Sequence, residues 1–172
     1  MKKQMLVSLL SEKPAVPAGR LQRNVPAVDW QPETELNPGQ PPASAWYSKG
    51  QIQARTARFL HAQGFRILQL TNPAVTQDAA DILAQDPQGR LWMVTVKGYP
   101  QGGTPQQASA WFTAGVLDLL AFHEQQPDAA LGMALPEAFQ VYQQLAQKVG
   151  WLKQKLSFVF FWADAEGKIR RG

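Results

Sequence analysis

The chain has 172 residues, 45% of them hydrophobic and 17% charged, with a net charge of +4, 13 prolines and no cysteine. One domain with an appended segment is expected at this length, and the missing cysteines exclude a disulfide scaffold, a zinc knuckle and a thiol nucleophile. The two histidines, His61 and His123, cannot build a multi-histidine metal centre, and no apolar run approaches the ~20 residues needed to span a bilayer.

Residues 1–45 hold seven of the 13 prolines: Pro14, Pro17, Pro26, Pro32, Pro38, Pro41 and Pro42. No helical or strand period survives such punctuation, so this stretch reads as an extended arm or a poorly ordered tail. The start Met1-Lys2-Lys3 is basic, but Leu6 to Leu10 is too short for a secretory apolar region. A cytoplasmic protein with no membrane contact is therefore expected. Residues 46–172 are expected to form the folded domain.

The spacing predicts a helix over 46–63. Ser48 can cap it, Ile52, Thr56, Phe59 and Leu60 share one face, and Gly64 closes it. Phe65 to Leu70 is rich in branched and aromatic residues and reads as a strand. Ala79 to Gln85 and Arg90 to Gly98 read as two further strands, joined by the tight turn Asp86-Pro87-Gln88-Gly89 into an antiparallel hairpin. Thr104-Pro105 starts a helix whose apolar face holds Ala108, Trp111, Phe112, Val116, Leu119 and Leu120. Ala129 to Leu135 is a fourth strand. Pro136 opens a third helix, which Gly150 stops, and Leu156 to Ala163 is a buried fifth strand. The order α-β-β-β-α-β-α-β predicts an α/β domain, a mixed sheet flanked by helices.

Charge is unevenly spread. Residues 46–66 carry Lys49, Arg55, Arg58 and Arg66 and no acid; residues 67–147 are mainly acidic; residues 148–172 carry six cations against Asp164 and Glu166. An acidic middle between basic segments suits a cation site beside phosphate-binding surfaces, or simply solvated surface charge. In the third strand, Leu91, Met93, Thr95 and Lys97 project to one side and Trp92, Val94 and Val96 to the other. Lys97 is the odd residue of this apolar strand. It must snorkel out at the strand end or meet a carboxylate, and Asp81 on the adjacent strand is the expected partner, if only as a structural ion pair. Trp92, Trp111 and Trp162 fit core positions, whereas Trp46 and Trp151 sit at element edges.

Three stretches carry a family resemblance. The helix and strand ARTARFLHAQGFRILQLTN, the hairpin DAADILAQDPQGRLWMVTVKG and the segment TPQQASAW resemble the core of the PD-(D/E)xK nucleases, the restriction-endonuclease-like fold. Small proteins of that group related to Holliday-junction resolvases are the nearest in character. In this resemblance Asp81 matches the family's aspartate, and Thr95-Val96-Lys97 matches its Glu-x-Lys element with threonine in place of glutamate. The resemblance implies a metal-dependent hydrolysis of phosphodiesters. Asp81 and the backbone carbonyl of Val96 would hold Mg²⁺, Lys97 would act on the attacking water or the developing charge, and Gln106 or Gln107 would orient phosphate or water. Lys49, Arg55 and Arg58 would contact the nucleic-acid backbone. Resolvase-like relatives also imply a homodimer.

A neutral hydroxyl at Thr95 weakens the implied metal site. The family's first helix often supplies another glutamate, where this chain has the neutral Gln51 and Gln53. Two readings follow. Either catalysis is lost and the fold serves as an interaction or structural protein, or a carboxylate has moved. Asp78, three residues before Asp81, is the best-placed migrant by sequence; Asp118 and Glu124 sit late on the following helix.

Overall fold

The computed structural model describes residues 45–74 and 79–172. The expected arm, apart from Ala45, and the candidate ligand Asp78 lie outside the described residues.

Helix α1 spans Lys49–Ala62, and the Ser48 hydroxyl accepts a hydrogen bond from the Gln51 N–H at its start. It buries Ile52, Thr56 and Leu60 as their spacing predicts, and also Gln53 and Ala57. Strands β1 (Arg66–Leu70), β2 (Ile82–Gln85) and β3 (Leu91–Val96) follow, then helix α2 (Pro105–Gln125) and strand β4 (Ala130–Pro136). Helices α3 (Gln140–Lys148) and α4 (Gly150–Leu156) lead to strands β5 (Val159–Ala163) and β6 (Ile169–Arg171). The six strands form one mixed sheet in the order β1-β2-β3-β4-β5-β6. β1, β2 and β3 are antiparallel neighbours, β3, β4 and β5 run parallel, and β6 returns antiparallel to β5. The molecule is thus an α/β fold with helices on both faces of the sheet. No described helix is long and apolar enough to cross a membrane.

Each face has its own core. Ile52, Ala57 and Leu60 of α1 pack on Trp92, Val94, Val96, Ala134 and Phe161. On the opposite face Phe112, Leu119 and Phe122 of α2 and Tyr142 of α3 pack on Met93, Leu131, Met133 and Phe160. The period-2 alternation along β3 therefore decides which helix layer each of its side chains meets. β4 is buried along its whole length, as a central parallel strand covered on both faces must be.

Four details depart from the sequence reading. β2 starts at Ile82 and not at Ala79: the Thr71 hydroxyl binds the Ala80 carbonyl and the Thr71 N–H binds the Asp81 carbonyl, and the ladder begins only beyond them. Gly150 does not terminate the third helical stretch. It begins α4, which ends instead at Ser157 in the left-handed region, φ 53°. β6 was not expected, because three residues flanked by charge offer no readable alternation. Trp111, at the flank of the buried stripe of α2, and Leu120, on its outer side, are both exposed, and the inner side is completed by Gly115 and Phe122.

The start of α1 lies against the end of β3. The Tyr99 N–H donates to the Tyr47 carbonyl over 2.8 Å. Gly98 permits this approach, since a Cβ there would run into the Lys49 backbone nitrogen and lie 2.8 Å from the Tyr47 oxygen. Trp46, Tyr47, Tyr99 and Phe139 stack beside the junction, Tyr99 on Phe139 at 3.6 Å. This junction brings Lys49 to the end of the hairpin.

Candidate functional site

The antiparallel register that pairs Ile82 with Val94 sets Asp81 beside Thr95, just before the β2 ladder begins. Asp81 is buried. Its Oδ2 accepts the Val96 N–H at 2.6 Å, and its Oδ1 lies 2.7 Å from Lys49 Nζ. A buried carboxylate needs such partners to remain charged. Gln53 supports the same turn of chain: its side-chain amide donates to the Thr71 and Asp81 carbonyls at 2.8 and 2.7 Å.

Thr95 and Lys97 point to the α2 face, and there they meet Asp118. The Thr95 hydroxyl donates to Asp118 Oδ2 at 2.7 Å, with Asp81 Oδ2 3.4 Å away, and Lys97 Nζ lies 2.7 Å from the same Asp118 oxygen. Gly115, one turn before Asp118, makes room: a Cβ there would lie 3.1 Å from Lys97 Cε and 3.0 Å from Met133 Cε. The expected Asp81–Lys97 pair is therefore replaced by two pairs, Lys49 with Asp81 and Lys97 with Asp118. The physical reason is direction. Asp81 turns to the backbone where the β2–β3 ladder opens, whereas Lys97 follows the pleat toward α2.

Of the residues singled out from sequence, Asp81, Thr95, Val96, Lys97 and Lys49 come together. Lys49 belongs to the cluster and holds Asp81. Gln106 and Gln107 are exposed in the first turn of α2, and the eleven helical steps from Gln107 to Asp118 span about 16 Å. They do not reach the cluster. Arg55 donates to the Asp164 carbonyl at 2.7 Å and lies over Trp46, and Arg58 is half-buried on α1. Asp118, ranked behind Asp78 by sequence, is the acid that arrives. Its signal was its position, one residue before the buried Leu119 on a helix whose other acid is Glu124.

Two carboxylates and backbone carbonyls are hard oxygen donors, and Mg²⁺ is commonly held by one or two carboxylates with water and phosphate completing its shell. The donor types around Thr95 fit that cation. Each carboxylate also carries an ammonium partner, so a dication must compete with Lys49 and Lys97 for them. Among the described residues no group of three or more His, Cys, Asp or Glu is placed to share an ion. Behind the cluster, the buried Tyr142 hydroxyl donates to the Gly98 carbonyl at 2.6 Å, and burial, with Tyr99 nearby, pushes its pKa well above the usual phenol value.

No protein-family model matches the chain, and no curated protein matches it. Two solved structures are similar to it: an XisH family protein from Nostoc punctiforme and an FdxN element excision controlling factor protein from Anabaena variabilis. Each is 19% identical over 69% of this chain and 95% of its own, with a TM-score of 0.46.

Proposed function

We propose that this chain is a nuclease-family domain of the restriction-endonuclease-like type, which binds nucleic acid and hydrolyses a phosphodiester with Mg²⁺. The observation that carries the reading is the convergence of Asp81 and Asp118 on the Thr95 hydroxyl, with Lys97 beside them. The order α1-β1-β2-β3-α2-β4, with β4 parallel to β3, supports the same reading. Asp118 stands in for the glutamate that Thr95 replaces.

Asp81, Asp118 and the Val96 carbonyl would hold the ion, and Asp78 remains a further candidate ligand. When bound, Mg²⁺ polarises a phosphoryl oxygen and lowers the pKa of a coordinated water. Lys97 supplies a fixed positive charge for the negative charge that develops on phosphate. Lys49, freed from Asp81, becomes a phosphate contact beside Arg55 and Arg58. Gln106 and Gln107 would touch nucleic acid away from the scissile group.

The test is incubation of the full chain with labelled single-stranded, duplex and branched DNA, with Mg²⁺ or Mn²⁺, beside Asp81→Asn, Asp118→Asn and Lys97→Met. Expected is metal-dependent cleavage that all three variants lose while they still bind DNA. Binding without cleavage under every condition removes the hydrolytic part and leaves a silent nuclease fold. Neither binding nor cleavage overturns the whole reading. We extend the proposal to a homodimer, supported by Leu117 and Leu120 exposed on the outer side of α2. Sedimentation of the parent chain and of Leu117→Lys checks it, with the variant expected to be monomeric.

A further inference from the structure

The two ion pairs of the candidate site are built differently. Lys97 is enclosed: its side chain is 17% exposed, and a Cβ at Gly115 would lie 3.1 and 3.3 Å from its Cε and Cγ. Its ammonium and the Thr95 hydroxyl share one oxygen of Asp118, Oδ2. Lys49 is nearer solvent, with 30% of its side chain exposed. It is the first residue of α1, whose first turn holds no acid. A cation at a helix N-terminus is opposed by the helix dipole. Asp81 Oδ1, 2.7 Å away, is what holds the Lys49 ammonium there.

Asp81 is equally asymmetric. Its Oδ2 accepts the Val96 N–H at 2.6 Å, a bond fixed by the strand that carries it. Its Oδ1 faces Lys49, a group that can leave. A dication drawn to this carboxylate therefore competes with the Lys49 ammonium and not with the backbone. Only the side chain has to move. The Lys49 backbone is seated against Gly98, so closely that a Cβ on Gly98 would run into it, whereas the four-carbon stem of a lysine is flexible. Residues 46–66 hold no acid, so the released ammonium finds no second carboxylate on its own helix. Phosphate is the anion that the proposed substrate brings to the same place.

We infer that Lys49 is a built-in competitor for the dication, and that its transfer from Asp81 to substrate phosphate makes dication and nucleic acid bind cooperatively. In the metal-free protein Asp81 holds the ammonium back from phosphate. In the absence of phosphate the ammonium resists the dication. Each ligand therefore removes an obstacle to the other, and the coupling is reciprocal: each raises the affinity of the other by the same factor. Lys97, enclosed beside Gly115, stays with Asp118 throughout. The inference rests on the metal-dependent nuclease reading above and adds to it how the same site is regulated.

The experiment has two readouts on the full chain. The first is amine acetylation with the rate at each lysine read by mass spectrometry, in Mg²⁺ and in NaCl of matched ionic strength, with and without a nuclease-resistant phosphorothioate duplex. Mg²⁺ is expected to raise the rate at Lys49 several-fold and to leave Lys97 unchanged, and the duplex to protect Lys49 again. The second is calorimetric titration of Mg²⁺ into the parent, Lys49→Met and Asp81→Asn. Lys49→Met should bind Mg²⁺ about five-fold more tightly than the parent, the low end of couplings between two ligands of one protein. The duplex should raise the Mg²⁺ affinity of the parent more than that of the variant. Circular dichroism checks that the variants keep the parent's fold, and the labelling of the parent needs no variant. Mg²⁺ binding that Asp81→Asn abolishes, with Lys49 labelling unchanged, overturns the displacement and leaves the nuclease reading standing. Exposure of Lys49 that the duplex does not reverse overturns the coupling. No Mg²⁺ binding by either the parent or Lys49→Met, with or without duplex, overturns both the inference and the metal-dependent reading.

Discussion

The side-chain amide of Gln53 donates to two backbone carbonyls, Thr71 at 2.8 Å and Asp81 at 2.7 Å, from a buried position. From sequence alone Gln53 reads as a neutral replacement for a family glutamate. The geometry explains the amide differently, because a carboxylate cannot donate to either carbonyl. Gln53→Glu should therefore destabilise the protein by about 3 kcal/mol or more at neutral pH, leaving two buried acceptors facing a charge. Burial and the two carbonyls would raise the pKa of that glutamate above its unfolded value of about 4.3. The sign follows. Below that value the acid is protonated in both states and can donate one hydrogen bond, so the penalty is smallest. It grows as pH rises through the unfolded pKa and levels off above the raised folded one. Urea unfolding of parent and variant at pH 4 and pH 7 checks this, and an equal gap at the two values would refute it. No spacing rule could have found the role of Gln53. Its partners lie 18 and 28 residues away, in a turn that sequence periodicity does not describe.

The β2–β3 hairpin depends on one side chain of its turn. Asp86 accepts from the Gln88 and Arg90 N–H groups at 3.1 and 2.8 Å and from Trp92 Nε1 at 3.0 Å. Desolvation raises its pKa, but the hydrogen bonds from Trp92, Arg90 and Gln88 and the Arg90 charge outweigh it and hold the carboxyl below its usual value. A depressed folded pKa means a stabilisation that is present above the unfolded pKa and lost as pH falls through the folded one. Asp86→Ala should lower the urea midpoint at pH 7, and the gap to the parent should close below the usual carboxylate range of about 4. A gap that persists into acid would assign the effect to something other than this carboxylate. At the other end of the hairpin, Gly98→Ala forces a Cβ against the backbone of Lys49 and Tyr47. Overpacking of this kind costs about 1–3 kcal/mol, and thermal unfolding would register it. Elements with a strong period and a capping signal were legible: α1 from Ser48, α2 from Thr104-Pro105, and the hairpin from its turn. α4 and β6 were not, because helix–sheet packing and pairing with β5, and not local pattern, create them.

At the scale of the whole molecule, the candidate site is a chain of contacts that crosses the sheet. Lys49 comes from α1 on one face, Asp81 from the start of β2, Thr95 and Lys97 from β3, and Asp118 from α2 on the other face. Most of these residues are legible in the sequence but their pairing is not, because the pleat of β3 can be read from alternation and the path of α1 around Gly98 cannot. Such a chain should couple the two helix layers. Breaking the Lys49–Asp81 pair leaves Asp81 with its Val96 N–H but without a counter-charge. The Lys49 side chain is 30% exposed, so solvent screens part of the attraction. A double-mutant cycle of Lys49→Met and Asp81→Asn should give a coupling of about 1 kcal/mol, toward the low end for contacting groups. The informative cycle is the longer one, Lys49→Met with Asp118→Asn. These residues share no direct contact, and each reaches the other only through Asp81 and the Thr95 hydroxyl. Unconnected sites add within about 0.5 kcal/mol. A coupling above that limit, abolished in a Thr95→Val background, shows that the four charges act as one unit across the sheet. Additivity within it, in both backgrounds, means two separate ion pairs that share a location, and a dication would then displace one ammonium without disturbing the other.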